Sequence, residues 1–383
     1  MGLGDATMNV ALMLESDGPG GAETMLLVLA EELRSLGHGV IPVGPRHGEG
    51  WLAHEFRARG FQPETFHLRA AVDPMGALSL TRRLRARRVD VIHSHEFTMA
   101  VYGALAARLL RLPHVITMHG STYFADARRR RTALRWAMRQ AHATVGISQD
   151  TARRMEDLLD LPGDAVRVVP NGRRLTQGDG SRVRAEMGLP DEALLVVCIG
   201  SLYPVKGHAY LIQALAELIR SGRDRGATLA IAGREGGSKA SIESLISTLG
   251  LEDRVRLLGH RADVADLLDA ADVFAMPSLS EGLPLALLEA MASGSAILAS
   301  GVGGIPEAVR HETDGLLVPA GDAAALASGL SRLLADPTLG RELGRNARER
   351  AREAFSPEAM ATAYVTLYQG GTMSPSPASE DGG

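Results

Sequence analysis

Short apolar runs rich in Val, Ile and Leu alternate with amphipathic stretches from one end of the chain to the other. In the first half, Met8–Leu14, Gly39–Val43, Val89–His93, His114–Met118, Thr144–Ile147 and Val166–Val169 read as β-strands. Between them, stretches such as Ala22–Leu36 and Ser79–Arg87 carry the apolar spacing of helices. The second half repeats the scheme with strands Leu194–Ile199, Thr228–Ala232, Val255–Leu258, Val273–Met276, Ala296–Ala299 and Leu316–Val318. Helical stretches again separate them, among them Ala209–Ser221 and Leu285–Ala292. A strand that is apolar on both faces has to be covered on both, so the alternation predicts parallel sheets between layers of helices. Two such series predict an α/β chain of two doubly wound, Rossmann-like domains. That architecture gathers ligand loops at the carboxyl ends of the strands, so the expected site is a cleft between the domains.

A length of 383 residues suits two domains and exceeds one ordinary core. The Asn171-Gly172 turn and the linker-like Gln177-Gly178-Asp179-Gly180 place the boundary within Arg173–Asp191. The expected division is 1–178 and 179–355, then a helix over 356–370 and a disordered tail over 371–383 rich in Ser, Pro and Gly. Hydrophobic residues at 45% and charged residues at 22% exclude disordered, collagen-like and coiled-coil chains. No apolar run is long enough to span a membrane, and Met1–Thr7 lacks the basic start of a signal peptide, so a cytoplasmic protein is expected. The single cysteine, Cys198, leaves no disulfide framework and no Cys-based metal site.

The net charge of −4 hides an asymmetry. Residues 1–190 hold 25 Arg against 20 Asp and Glu, net +5, and the remainder holds 16 Lys and Arg against 25, net −9. Lys206 and Lys239 are the only lysines. The basic half includes Asp126–Gln140, where Arg128, Arg129, Arg130, Arg131, Arg135 and Arg139 surround Leu134, Trp136 and Met138. This stretch fits either a helix lying on anionic lipid or a solvated helix face. Nucleic acid is a poorer partner, because no binding motif is present and few aromatics are available to stack on bases.

The densest chemical signal is Ser280-Glu281-Gly282-Leu283-Pro284-Leu285, which follows strand Val273–Met276 and opens a helix that carries Glu289. Pro284, which has no N–H of its own, suits the first turn of a helix, and the free backbone N–H groups from Gly282 through Leu285 are expected to face an anion. Glu289 is flanked by Leu285, Leu288 and Met291 on an apolar helix, which a solvated surface carboxylate does not explain. A buried carboxylate needs hydrogen-bond donors, and sugar or ribose hydroxyls supply them. Gly200-Ser201-Leu202-Tyr203-Pro204-Val205-Lys206-Gly207 joins a strand to a helix, so Lys206 is either a phosphate-binding point charge or a solvated surface lysine. Gly18-Pro19-Gly20-Gly21-Ala22-Glu23 follows the first strand. Glu23 stands where a dinucleotide loop has its third glycine, and no acid ends the second strand, so NAD is not expected. Gly20 and Gly21 then form either a flexible anion or sugar loop or a tight turn. His119 ends a strand before Gly120, as a core histidine or a cleft residue. His93 and His95 alternate on a neighbouring strand, but no His-x-x-x-His, Asp-x-Asp or Cys pair supports a metal with them.

With these motifs in this order, the chain resembles the retaining GT-B glycosyltransferases of family GT4 from Val10 to about Tyr368. Glu281 and Glu289, with seven residues between them, resemble that family's paired glutamates, and Gly200–Gly207 its diphosphate loop. Gly18–Glu23 is similar to its first glycine-rich loop, and Asp90–His95 to its fourth strand. Ile116-Thr117-Met118-His119-Gly120 resembles its central histidine segment, and Val168–Gly172 the end of its first domain. The resemblance implies transfer of a sugar from a nucleotide-diphosphate donor to an acceptor hydroxyl, with no metal and no cofactor. It also implies that the second domain binds the donor and that the last helix crosses back onto the first. In this scheme Lys206 and the Gly282–Leu285 helix start stabilise the departing diphosphate, Glu281 binds the donor sugar, Glu289 holds the ribose, and His119 with Gly20 and Gly21 lines the facing wall. Ser201 stands where the family usually has Arg, so Arg234, after strand Thr228–Ala232, is a candidate replacement for the missing charge. No nucleophilic carboxylate is evident in the first domain, which implies front-face attack with the diphosphate taking the acceptor proton. A nucleotide-sugar epimerase or phosphorylase on the same fold is one alternative reading, and a non-catalytic nucleotide-sugar-binding subunit is another. The expected acceptor is a glycan, a lipid-linked sugar or a small molecule, and the expected location is the cytoplasm or the inner face of the membrane.

Overall fold

The computed structural model describes residues 7–45, 50–68, 73–120, 127–174, 177–190 and 192–371. They form two compact units, Met1–Gly172 with Ser356–Gly383, and Arg173–Phe355.

The first unit is built on a seven-stranded parallel sheet in the order β3-β2-β1-β4-β5-β6-β7. The strands are β1 (Asn9–Met13), β2 (Gly39–Pro45), β3 (Glu64–Phe66), β4 (Val91–His95), β5 (His114–Met118), β6 (Ala143–Gly146) and β7 (Val166–Val168). The helices between them are α1 (Gly21–Ser35), α2 (Trp51–Ala58), α3 (Pro74–Ala86), α4 (Glu96–Leu110), α5 (Arg128–Gln140) and α6 (Gln149–Leu159). Val10 through Met13 are fully buried, which is why β1 reads as an unbroken apolar run. Ala11 and Met13 pack with Leu80, Leu84 and Met99 of α3 and α4. β3 has no counterpart in the sequence expectation, because three residues are too few to show a period. The fourth strand runs two residues beyond the expected one: Ser94 pairs in register with Ile116 and His95 with Thr117. Its polar end stays in the sheet because His114 Nε2 and Ser94 Oγ share a hydrogen bond of 2.8 Å inside the core.

The second unit has a six-stranded parallel sheet in the order β10-β9-β8-β11-β12-β13. Its strands are β8 (Leu195–Ile199), β9 (Thr228–Ala232), β10 (Val255–Gly259), β11 (Val273–Met276), β12 (Ala296–Ser300) and β13 (Leu316–Val318). The helices are α7 (Gly180–Glu186), α8 (His208–Arg220), α9 (Lys239–Thr248), α10 (Val264–Ala270), α11 (Leu285–Ser293), α12 (Ile305–Ala308), α13 (Ala323–Ala335) and α14 (Pro337–Ala354). Successive residues of β8 face opposite layers: Val196 and Cys198 join one apolar cluster, Leu195 and Val197 the other.

The units divide between Gly172 and Arg173, ahead of the boundary expected at 178. A Cβ on Gly172 would lie 2.6 Å from Pro357 Cα, whereas Arg173 N–H donates to Phe355 O at 2.9 Å. Gln177–Gly180 is not a free linker. Asp179 caps α7, and a Cβ at Gly178 would meet Ala265 O at 2.2 Å, so glycine permits close packing on α10. The last helix, α15 (Pro357–Tyr368), starts at a Ser356 cap and belongs to the first unit. Its Tyr364 hydroxyl hydrogen-bonds Thr117 Oγ1 at 3.0 Å, and its Tyr368 hydroxyl hydrogen-bonds His93 Nδ1 at 2.7 Å. The tail expected to be disordered lies outside the described residues after Gly371, as does Asp126 of the basic segment. Among the described residues no helix is long and apolar enough to cross a membrane.

Candidate active site

In a doubly wound sheet the two loops on either side of the point where strand order reverses diverge and leave a crevice. That point lies between β8 and β11 in the second unit, and between β1 and β4 in the first. The candidate residues cluster at these two places.

In the second unit the loop after β8 ends in a short 3-10 turn, Pro204–Lys206, and the loop after β11 runs to α11. The loops touch at Gly207, whose φ is 68° and whose missing Cβ would stand 2.0 Å from Pro277 O. This contact brings two distant candidates together. Lys206 Nζ donates to Glu281 Oε1 at 2.7 Å, and Ser278 Oγ donates to the same oxygen at 2.7 Å. Glu281 is only 9% exposed, Lys206 29%. A third glycine loop backs Glu281: Gly303, at φ 57°, would place a Cβ 1.9 Å from Glu281 O, and Gly304 N–H donates to Gly282 O at 2.7 Å. Sequence reasoning passed over this Gly301–Gly304 segment, although three glycines in four residues were the available signal.

Pro284 is the N-cap of α11, not a residue of its first turn, so the helix opens at Leu285. Leu283 is buried, while Gly282, Pro284 and Leu285 are half-buried at this mouth. Glu289 forms an ion pair with Arg173, a partner absent from the sequence reading. Burial raises the Glu289 pKa, and the Arg173 charge opposes the rise. Both residues line a cavity of about 230 Å³ together with Arg174, Leu268 and Ser293. Ser201 is half-buried in the β8 loop. Arg234 is exposed and meets that loop through its backbone, accepting from Leu202 N–H at 2.9 Å. Burial pushes the Cys198 thiol up to about 12, keeping it neutral beside Lys206.

In the first unit Gly20 is the N-cap of α1, and the Glu23 carboxylate folds back over it: a Cβ on Gly20 would be 2.3 Å from Glu23 Oε2. Gly21 faces open space. His119, just past β5, donates its backbone N–H to Glu96 Oε1 at 3.1 Å, and its Nε2 shares a hydrogen bond with His95 Nδ1 at 3.2 Å. Glu96 sits at the sharp turn from β4 into α4 with φ 64°, a left-handed conformation that costs a non-glycine residue about 1–3 kcal/mol. Desolvation, with the Glu23 charge adding to it, raises its carboxyl to about 7, against a lowering by the His119 N–H bond. The structure therefore places the Glu96 carboxyl group beside His119, a neighbour the sequence reading did not single out.

His93, His95, His114 and His119 are neutral, because burial lowers all four pKa values, His114 to about 3 and His119 to about 4. Between those values and 6.5 the unfolded chain binds protons that the folded chain refuses, so stability is lost as pH falls. Glu96 acts in the opposite sense: its raised pKa makes folding less favourable as pH rises from 4.5 towards 7. The histidines prevail by number. The expected result is a Tm that drops from pH 7 to pH 5, at up to roughly 1.4 kcal/mol per histidine per pH unit, as followed by calorimetry. A flat Tm across that range contradicts it. Among the described residues no group of three or more His, Cys, Asp or Glu is arranged to hold a metal ion.

Comparison with known proteins agrees with this fold. Residues 181–350 match the family described as Glycosyl transferases group 1, and residues 19–177 match Glycosyltransferase Family 4. A D-inositol 3-phosphate glycosyltransferase of Corynebacterium efficiens is 34% identical over 335 residues, covering 82% of this chain and 78% of its own. The N-acetyl-alpha-D-glucosaminyl L-malate synthase of Bacillus anthracis is 29% identical, covering 73% of this chain and 74% of its own. Anabaena HepE, solved in complex with UDP and glucose, superposes with a TM-score of 0.81 at 25% identity, over 94% of this chain and 99% of its own. The two-sheet architecture is the GT-B fold. The chain belongs to glycosyltransferase family 4 and is a glycosyltransferase.

Proposed function

We propose that the enzyme transfers a sugar from a nucleoside-diphosphate donor to an acceptor hydroxyl, with retention of anomeric configuration and without a metal. The observation that carries this reading is the Lys206–Glu281–Ser278 cluster at the strand-order reversal of the second unit, beside the start of α11. The bond between the anomeric carbon and the diphosphate oxygen breaks, and its electron pair leaves with the diphosphate. Lys206 and the Gly282–Leu285 segment stabilise the charge that develops there. Glu281 accepts hydrogen bonds from the donor sugar, and Glu289 holds the ribose once Arg173 yields it. The acceptor oxygen attacks the same face, and its proton passes to the departing diphosphate. His119 and the Gly20-Gly21 loop contribute from the first unit, while Ser201 and Arg234 flank the diphosphate loop. Since HepE was solved in complexes with UDP and UDP-glucose, a UDP-sugar is the first donor to try. NMR of the product is the test: an α-linked donor gives an α-linked product at an undiminished rate in EDTA. A β-linked product overturns retention, and loss of activity in EDTA overturns metal independence.

Helix α5 is the membrane-facing element of the proposal, which places the enzyme in the cytoplasm, peripheral to the inner leaflet, in glycan or cell-envelope polysaccharide synthesis. Arg128, Arg129, Arg130 and Trp136 are exposed on it, while Leu134, Ala137 and Met138 anchor it to the unit.

A further inference from the structure

We infer that His95 is a positioning residue that fixes His119 in its Nδ1–H tautomer, so that His119 offers a bound sugar an N–H donor and no base. This deepens the glycosyltransferase reading and rests on it for the sugar. His95 ends β4 in register with Thr117 of β5, and its Nδ1 shares a hydrogen bond of 3.2 Å with His119 Nε2. Both imidazoles are neutral, because burial lowers both pKa values. A neutral imidazole carries one N–H and one lone pair, so one ring of this pair donates and the other accepts. His95 Nε2 decides between the two arrangements, because it is buried without a hydrogen-bond partner. The His93 ring, 4.1 Å from that of His95, cannot serve it: its Nδ1 is engaged with the Tyr368 hydroxyl at 2.7 Å and its Nε2 with Thr117 Oγ1 at 2.8 Å. If His119 donated, the His95 proton would sit on the orphaned nitrogen as a buried N–H with no acceptor. If His95 donates from Nδ1, the orphan is only a lone pair. Buried N–H groups go without an acceptor more rarely than buried acceptors go short of donors, so His95 is the donor. His119 Nε2 then accepts, and its own proton sits on Nδ1. His119 is half-buried, and among the described residues its Nδ1 has no hydrogen-bond partner, which leaves that N–H for a ligand oxygen. A sugar hydroxyl supplies such an oxygen. With no lone pair at Nδ1, His119 takes up no proton there, in keeping with a route in which the diphosphate receives it.

The test is ¹⁵N NMR of the full chain labelled at histidine, because ring-nitrogen shifts distinguish the two tautomers. Single substitutions at His95 and His119 assign the signals. At pH 7 both residues are expected to show a protonated Nδ1 and an unprotonated Nε2, the reverse of the tautomer that a free histidine side chain favours. An Nε2–H tautomer at His119 overturns the inference, and the wild-type spectrum decides this even if a variant fails to fold. His95→Leu removes the donor, so the His119 shifts should move towards a tautomer average and UDP release from UDP-glucose should slow by about three- to tenfold. His95→Asn, whose side-chain NH₂ reaches the position of Nδ1, should keep both the His119 shifts and the rate within about twofold. A role in packing alone would favour leucine over asparagine. Unchanged His119 shifts in His95→Leu, or a leucine variant as active as the asparagine one, overturn the inference. Turnover by a wild-type protein whose His119 is Nε2–H would overturn this inference and leave the glycosyltransferase reading intact. The expected tautomers without release from any nucleotide sugar would count against that reading and leave the role of His95 standing.

Discussion

Replacing Lys206 with alanine is expected to lower kcat/KM about 10²–10³-fold, the loss typical when one preorganised group facing a developing charge is removed. Most of the loss should fall on kcat, because the diphosphate gains charge as the glycosidic bond breaks. UDP affinity should fall by about tenfold as well, since the ammonium also meets the ground-state diphosphate. Stability should change by only about 1 kcal/mol, because Lys206 is 29% exposed and Ser278 still donates to Glu281. Lys206→Arg keeps the charge but not the compact reach of an ammonium, so it should restore activity only in part. Activity within threefold of wild type in Lys206→Ala contradicts the assignment.

Glu281→Ala should lower turnover by a similar factor, about 10²-fold, with the opposite effect on nucleotide binding. In the free protein Glu281 holds the Lys206 ammonium at 2.7 Å. Removing the carboxylate releases Lys206 to the diphosphate, so UDP affinity should stay level or rise while UDP-sugar turnover falls. The two variants thus separate the residues by role: one loses both binding and turnover, the other turnover alone. Equal losses of UDP affinity in both would indicate that Glu281 serves only to position the loop. Calorimetry with UDP, run beside steady-state kinetics, makes the comparison.

Much of this architecture is legible in the sequence, because strands buried on both faces announce themselves as apolar runs. Val10–Met13 and Leu195–Ile199 are of that kind. β3 is hidden because Glu64-Thr65-Phe66 is too short for a period to show, and the polar His-Ser-His end of β4 breaks the apolar run although it is buried. The site is legible to the extent that its chemistry lies in residue type and local spacing, as with Glu281, Glu289 and the Lys206 loop. What the spacing does not reveal is which charges meet. Lys206 pairs with Glu281 across 75 positions, and Arg173 pairs with Glu289 through the tertiary fold alone. Glu96 stayed hidden for a different reason. Its left-handed backbone is normally signalled by glycine or asparagine, and here it falls on a glutamate.

The central claim is nucleotide-sugar chemistry, and a donor panel tests it most directly. Purified protein is incubated with UDP-, GDP- and ADP-sugars with and without EDTA, and released nucleoside diphosphate is measured together with its binding. The account predicts release from one nucleotide series that EDTA does not affect, and the loss of that release in Lys206→Ala. Binding of one nucleotide with no release under any acceptor would fit a sugar-nucleotide-binding subunit and contradict the enzyme reading. No binding of any of them would contradict the donor site itself, with Ser201, in place of arginine, marking where it was lost.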